Sequence, residues 1–172
     1  MPNRRKVLIG LGGSVALAGC GSSETEGDDD SPIDAEPEEL IPSADLFGDD
    51  WEQYDSNTGG LHSVELEGDT SKASFARVED GIDEEGIDIE VTVFDTVNEA
   101  MSGYEEMRNA DIDAENLFED VDIASEGHLM DFEDASVYFR DANVIGELLH
   151  VNISGSSRPE EYAADWHETW RD

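Results

Sequence analysis

The sequence predicts an α+β domain built on an antiparallel sheet of about six strands, with two helices packed on the sheet. Alternation of apolar and polar residues at 87–94, and a longer apolar run at 144–153, predict the two main strands. A Thr or Ser stands three residues before a Glu at 96–99 and at 157–160, which is the spacing of a helix-capping box. Each main strand is therefore followed by a helix.

The two main strands should differ in how they are covered. Strand 87–94 should have one buried and one wet face, since Ile87, Ile89 and Val91 alternate with polar residues. Strand 144–153 carries apolar residues on both parities, so we expect part of it to be covered on both sides. Turns rich in Asp, Gly and Asn should join neighbouring strands into hairpins. The shorter strands are expected at 62–66, 73–78, 128–132 and 135–140, with turns at 80–81 and 141–143.

The two predicted helices are amphipathic. The first should span about residues 96–108, and the second should run nearly to the C-terminus. Tyr162, Trp166 and Trp170 recur at helical spacing in the second helix, which predicts that they pack in the core. The alternative is that these aromatic residues line a sugar-like pocket together with Trp51.

The order of short strand, hairpin and capped helix occurs twice, which predicts a duplicated β-β-β-α unit. Segment 73–77 is echoed by segment 135–140. The alternative is a chance similarity between two hairpin–helix units. Arg77 and Arg140 hold equivalent positions in the two segments. Because arginine pairs well with carboxylates, we expect each to bind an acidic side chain as part of the architecture.

The N-terminus has the layout of a cleavable export signal. Arg4 and Arg5 precede an apolar run at 7–18, and small residues end that run. The run is too short to span a bilayer, so we expect it to be removed with the signal. Residues 17–20, Leu-Ala-Gly-Cys, resemble the lipobox of bacterial and archaeal lipoproteins. The arginine pair resembles the twin-arginine class of export signals.

The lipobox resemblance implies that Cys20 carries a diacylglycerol, whose two acyl chains anchor the protein stably to the extracellular face of the membrane. Residues 1–19 would then be the cleaved signal peptide. Residues 20–39 are polar and acidic, and we expect them to form a disordered tether. Residues 40–172 are enough for a single α+β domain. No second cysteine exists for a disulfide or a thiolate site.

The charge of the chain predicts a halophilic protein. All 45 acidic residues but only six of the nine basic ones follow Cys20, so the mature chain has a net charge of about −39. At molar salt the Debye length falls to about 3 Å, which screens this repulsion. An acidic surface repels phosphate, which excludes nucleic acid as a partner. The composition resembles that of haloarchaeal proteins.

Residues 137–146, Val-Tyr-Phe-Arg-Asp-Ala-Asn-Val-Ile-Gly, resemble a segment of small exported haloarchaeal lipoproteins whose function is unknown. Those proteins carry a hydrophobic strand with a similar pattern before a final helix. The resemblance implies a fold and a location, and it supplies no active site.

Candidate metal and modification sites are few. His62 and His128 begin two shorter predicted strands and could be neighbours across the sheet; strand-end histidines without a metal are the alternative. Asp111 and Asp113 open a segment whose acids are spaced as in a calcium loop, but that loop lacks its glycine, and chance is the alternative. Asn152, in Asn-Ile-Ser, matches the N-glycosylation pattern.

The sequence favours a binding protein. It contains no Gly-x-Ser-x-Gly or His-Glu-x-x-His motif, and no phosphate-binding glycine loop after the export signal. We expect a membrane-anchored binding or accessory module of a halophile's envelope, with no catalytic activity and no cofactor. Its partner would be an envelope protein or a small solute. The alternatives are an extracellular hydrolase and a cation-binding surface protein.

Overall fold

A computed structural model describes residues 31–54, 64, 66–79, 82–110, 118–130, 135–152 and 158–171. In this part of the chain, seven strands form one antiparallel sheet with the order β1-β2-β3-β7-β6-β5-β4. The strands are β1 (Trp51–Tyr54), β2 (Asp69–Glu79), β3 (Ile82–Val93), β4 (Phe118–Asp120), β5 (Glu126–Met130), β6 (Ala135–Asp141) and β7 (Val144–Asn152). The α-helices are α1 (Val97–Ala110) and α2 (Pro159–Glu168), and short 3-10 helices span Pro37–Leu40, Ala44–Leu46 and Thr169–Arg171. The predicted α+β class and single antiparallel sheet are confirmed.

The described sheet has seven strands where the sequence predicted about six. The two edge strands, β1 and β4, have only four and three residues, too few for alternation to reveal them. Segment 62–66 was predicted to be a strand, but its described residues Val64 and Leu66 lie outside any strand. The predicted β2–β3 and β6–β7 hairpins are present.

The two helices pack on opposite faces of the sheet. On β7, Val144 and Leu148 belong to the same core cluster as Trp166 of α2. Ile145, whose side chain points the other way, belongs to a second cluster with Tyr104 of α1. We call these surfaces the α2 face and the α1 face. As predicted, β7 is covered on both sides, and Trp166 and Trp170 pack in the core.

The polar face of β3 is not exposed to solvent along its whole length, contrary to the prediction. Thr92 and Glu90 lie on the α1 face and are buried. The Thr92 hydroxyl is 3.0 Å from that of Thr70, and Glu90 is 3.1 Å from the Lys72 ammonium. Polar side chains that pair across strands can therefore occupy a covered face.

The packed part of the chain begins before residue 40, where the sequence analysis placed the end of the tether. Ile33 and Leu40 are buried in the core of the α2 face. Asn143, at the β6–β7 turn, accepts a hydrogen bond from the Ile33 N–H (2.7 Å) and donates to the Ile33 carbonyl (3.3 Å). Trp166 donates to the Leu40 carbonyl (2.7 Å). Ile33 and Ala35 are the only apolar residues between 31 and 39, which is too few to reveal this part of the N-terminal arm, residues 31–47, in the sequence.

The helix starts differ from each other. Before α1, the Glu99 N–H donates to the Thr96 hydroxyl (3.2 Å), which is one of the two bonds of the predicted capping box. The Glu99 carboxylate accepts from the same hydroxyl (2.9 Å). The N-cap of α2 is Arg158 rather than Ser157, which lies outside the described residues. Pro159 takes the first helical position, where its fixed φ and missing N–H are tolerated.

Among the described helices, none is both long and apolar enough to cross a bilayer.

Candidate functional site

A small cleft opens at one end of the sheet, beside the start of α2. This end, where Glu85 of β3 pairs with Asn152 of β7, is called the cleft end. The opposite end of the sheet, where Val93 pairs with Val144, is called the arm end. The cleft has a volume of about 250 Å³ and is lined by Phe47, Gly48, Asp49, Asp50, Trp51, Arg77, Glu85, Arg158 and Tyr162.

Glu85 is the polar centre of this end of the molecule. It lies on the α2 face of β3, in line with the buried Ile87 and Ile89, and is itself buried. One carboxylate oxygen is 2.9 Å from a terminal nitrogen of Arg77 on β2, the cross-strand neighbour of Glu85. The other oxygen accepts from the Tyr162 hydroxyl (3.4 Å). A buried carboxylate with several donors is held in one position.

His150 completes the support of Glu85 from β7. Its Nε2 donates to Glu85 (2.8 Å), and its Nδ1 accepts from the backbone N–H of Arg158 (2.9 Å). Burial lowers the pKa of His150, so the neutral ring with its proton on Nε2 fits both contacts. The ring also packs edge-on against Tyr162. Because both nitrogens are engaged, His150 orients the site and does not offer a free base.

Three aromatic rings form the apolar wall of the cleft. The centroids of Phe47, Trp51 and Tyr162 lie 5.7, 5.7 and 6.0 Å apart, with tilted or edge-to-face geometry. Gly48 has a φ of +136°, a region that other residues rarely adopt, and it lets the backbone turn against Trp51. Burial, followed by the nearby Glu85 charge, raises the pKa of Tyr162, so its hydroxyl stays protonated.

Two of the six basic residues after Cys20 line this one cleft. Arg77 is partly exposed and paired with Glu85, which confirms the predicted acidic partner. Arg140 is likewise paired, with Glu126 at 3.0 Å on the α1 face. Arg158 lies more openly, in an exposed pair with Glu161 (2.9 Å). Concentrating scarce cations beside aromatic rings makes the cleft suitable for binding a polar ligand.

A larger groove of about 600 Å³ lies beside α1, and we consider it the weaker candidate. It is lined by Leu66, Glu67, Phe94, Asn98, Glu99, Ser102, Gly103 and Glu106. The charged residues among these described lining residues are all acidic, as expected of any concave surface in this chain. Gly103 lets α1 approach Phe94 closely, since a Cβ there would lie 3.1 Å from that ring. The groove is thus explained by helix packing.

His128, a predicted metal ligand, is part of the contact between α1 and the sheet. Its Nδ1 is 2.6 Å from the Tyr104 hydroxyl, and its Nε2 is 3.1 Å from Asp120. Burial, reinforced by the Arg108 charge, lowers the pKa of His128, and burial raises the pKa of Tyr104. Within the described ranges, no group of three or more His, Cys, Asp or Glu side chains could hold a metal ion.

The other predicted site residues give a mixed result. Asn152 is half-buried and donates to Glu85 (3.3 Å), so the predicted glycosylation acceptor lies beside the cleft; its modification stays a prediction. The metal, lipid and export predictions at the remaining sites also stay predictions. Those sites lie outside the described residues and are His62, Asp111, Asp113, Cys20, Arg4 and Arg5.

Sequence reasoning missed Glu85 as a site residue, although the pattern contains it. Glu85 alternates in phase with Ile87, Ile89 and Val91, so it lies on their face of β3, and Arg77 lies on the same face of β2 as Phe75. A charged residue on the apolar face of each of two adjacent strands indicates a buried ion pair.

Comparison of the chain with protein-family models, with curated proteins and with solved structures found no match.

Proposed function

We propose that the protein is a non-catalytic binding module on the outer face of a halophile's cell membrane. It is exported through the signal that contains Arg4 and Arg5, and it is anchored by lipid on Cys20. The cleft between the Phe47–Trp51 loop and α2 is its ligand site. His150, beside the cleft, is hydrogen-bonded through both ring nitrogens, which supports a positioning role for this residue.

The observation that carries the proposal is the separation between the point where the N-terminal arm joins the sheet and the cleft. The N-terminal arm enters at the arm end, where Ile33 is bonded to Asn143 beside the start of β7. The cleft lies past the other end of β7, where Asn152 donates to Glu85. At about 3.3 Å per residue, β7 separates the two by roughly 25 Å. An anchor attached through the arm would therefore hold the domain by the end farthest from the cleft.

The length of chain before the arm limits how far the domain can stand from the membrane. Residues 21–32 join Cys20 to Ile33. Fully extended at about 3.4 Å per residue, they reach at most about 40 Å. The cleft would thus stay close to the cell surface, where a receptor or accessory protein meets its solute or envelope partner.

Labelling of intact cells tests both the export of the protein and its lipid anchor. The chain has no cysteine besides Cys20, so the substitution Asp50→Cys adds a single thiol at the rim of the cleft. A membrane-impermeant maleimide should label this variant on intact cells, and the labelled protein should sediment with membranes. Adding Cys20→Ser should move the labelled protein to the medium. Protein that stays unlabelled, or that remains on membranes without Cys20, would contradict the proposal.

We keep the duplicated β-β-β-α unit as a proposal about the origin of this scaffold. The order β1-β2-β3-β7-β6-β5 is symmetrical about the β3–β7 pair, which supports duplication. The helices count against it. A two-fold axis between the antiparallel β3 and β7 would put both helices on one face, whereas α1 and α2 pack on opposite faces.

A further inference from the structure

The cleft carries charges of both signs around an aromatic wall. Arg77 and Arg158 lie on the side of β2 and α2, whereas Asp49 and Asp50 lie in the loop before β1. We infer that the cleft binds a small zwitterion, a molecule with a carboxylate and a positively charged nitrogen, such as an amino acid or a betaine. This inference rests on the proposed function and names the ligand class of that same site.

The arginines are placed to receive the carboxylate of such a ligand. The side chain of Arg158 is 56% exposed, and its pair with Glu161 is also exposed, so the guanidinium can turn to a ligand at little cost. Arg77 reaches Glu85 through one terminal nitrogen, and its side chain is 35% exposed. Arg77 also lines the cleft, its Nε has no hydrogen-bond partner among the described residues, and guanidinium geometry matches a carboxylate.

The opposite side of the cleft suits the positive nitrogen. Asp49 and Asp50 are exposed acidic residues of the lining. The Tyr162 ring, on the α2 side, already has the Arg158 guanidinium 6.0 Å from its centre, so the ring beside the two carboxylates is that of Trp51. A quaternary or primary ammonium there would gain contacts with both carboxylates and with an aromatic ring.

Ligands with one sign of charge fit the cleft poorly. A simple anion meets Asp49, Asp50 and Glu85, and a simple cation meets Arg77 and Arg158. At molar salt the Debye length is about 3 Å, so potassium and chloride compete for any single ionic contact. A zwitterion makes contacts of both kinds at once. The volume of about 250 Å³ is below the roughly 300–1,000 Å³ of sites for drug-sized molecules, which favours a small solute.

Calorimetric titration in molar potassium chloride tests this ligand class. The protein is the full chain with Cys20→Ser, and the probes are glycine betaine, L-leucine, acetate and tetramethylammonium. We expect glycine betaine or L-leucine to bind at least tenfold more tightly than acetate or tetramethylammonium, which carry only one of the two charges. The stronger of the two zwitterions shows whether the cleft prefers a betaine or an α-amino acid with an apolar side chain.

Two arginine variants locate the binding. Arg158→Ala should weaken the zwitterion about tenfold, because a charge-assisted contact is lost. Arg108→Ala removes the same charge from an exposed position on α1 and should leave the affinity unchanged. Acetate binding as tightly as the zwitterions, or equal effects of the two substitutions, would overturn the inference.

A wider panel separates failure of the ligand class from failure of the proposed function. If both zwitterions fail but trehalose or succinate binds and Arg158→Ala abolishes the binding, the ligand class is wrong and the cleft remains the site. If none of these solutes binds, the zwitterion inference fails, and the proposed function then depends on a protein partner. The intact-cell labelling described above tests the anchored orientation independently of any ligand.

Discussion

Two acidic residues on the α2 face, Glu85 and Asp141, organise opposite ends of the domain. Glu85 holds Arg77 and Tyr162 at the cleft end. Asp141 holds the C-terminal segment at the arm end, where it accepts from Arg171 through both carboxylate oxygens (2.9 and 3.0 Å) and from His167 (2.9 Å). Each carboxylate therefore joins an element that is distant in sequence to the sheet. Because both carboxylates are buried, dissolved salt screens these contacts little.

Asp141 should make the unfolding free energy of the protein depend on pH in the acidic range. Burial alone would raise its pKa, but the hydrogen bonds from His167 and Arg171 outweigh burial and lower the pKa from 3.8 to about 2. The unfolded chain thus binds the proton more tightly, so the contribution is complete above about pH 4 and is lost as the pH falls toward 2. At neutral pH, Asp141→Asn should cost about 2 kcal/mol of unfolding free energy.

Urea unfolding of the wild type and of Asp141→Asn, at fixed molar salt and pH values from 7 to 2, measures this contribution. The difference between the two proteins should be constant down to about pH 4 and then shrink. A difference that stays the same at pH 2 would mean that the substitution acts through packing rather than through the charge.

Residue patterns revealed some of this chemistry and not the rest. The acidic partners of Arg77 and Arg140 were predictable, because an arginine among apolar strand residues needs a carboxylate. The cleft itself was not, because it depends on Phe47, Tyr162 and Arg158, which come together only when the arm and α2 pack on the same face. Local patterns contain no information about which face a distant segment will cover.

At the scale of elements, strand β7 is the centre of the fold, since it lies between β3 and β6 and is covered on both faces. The sequence predicted β7, β3 and both helices because each has a long, periodic apolar pattern. Edge strands β1 and β4 were missed because they are short. Residues 31–39 of the arm were assigned to the tether because they have few apolar residues and because Ile33 is held by hydrogen bonds from the distant Asn143.

Gly146 of β7 should not tolerate a side chain. A Cβ at this position would lie 2.7 Å from the Phe139 ring and 3.0 Å from the Trp170 ring, in the core under α2. Gly146→Ala should therefore destabilise the protein by about 2 kcal/mol through overpacking. Gly86→Ala, in the neighbouring strand β3, is the matched control, since its nearest atom is 3.9 Å away.

Urea unfolding of these two glycine variants gives the comparison directly. Gly86→Ala should leave stability unchanged or raise it by up to about 1 kcal/mol, because alanine is less flexible than glycine in the unfolded chain. Equal losses in the two variants would contradict the close packing of Trp170 and Phe139 against β7.

At the scale of the whole molecule, the charge of the chain should make its stability depend strongly on salt. The chain has a formal net charge of −36, and its 45 acidic residues far outnumber its nine lysines and arginines. Raising potassium chloride from about 0.1 to 1 M shortens the Debye length from about 10 to 3 Å and should raise the unfolding free energy. Thermal melts across this range measure the effect, and a melting temperature that does not rise would contradict adaptation to brine.

The same scale gives the domain its direction. The start of the arm at Ile33, the C-terminal segment and the β6–β7 turn meet at one end of the sheet, whereas the arm runs on to Phe47 in the cleft at the other end. If the anchor is on Cys20, the membrane and the ligand site lie at opposite ends of the molecule. The central claim is therefore that a ligand binds at the cleft end and nowhere else on the domain.

Amide chemical-shift mapping tests this claim most directly. The full chain with Cys20→Ser would be titrated in molar potassium chloride with glycine betaine, L-leucine, succinate and trehalose. We expect saturable shifts for at least one solute, concentrated at residues 47–51, at Arg77 and at residues 158–162. Saturable shifts confined to the groove beside α1, around Phe94 and Gly103, would contradict a ligand site at the cleft end, and no saturable shifts with any of these solutes would contradict a small-solute site there.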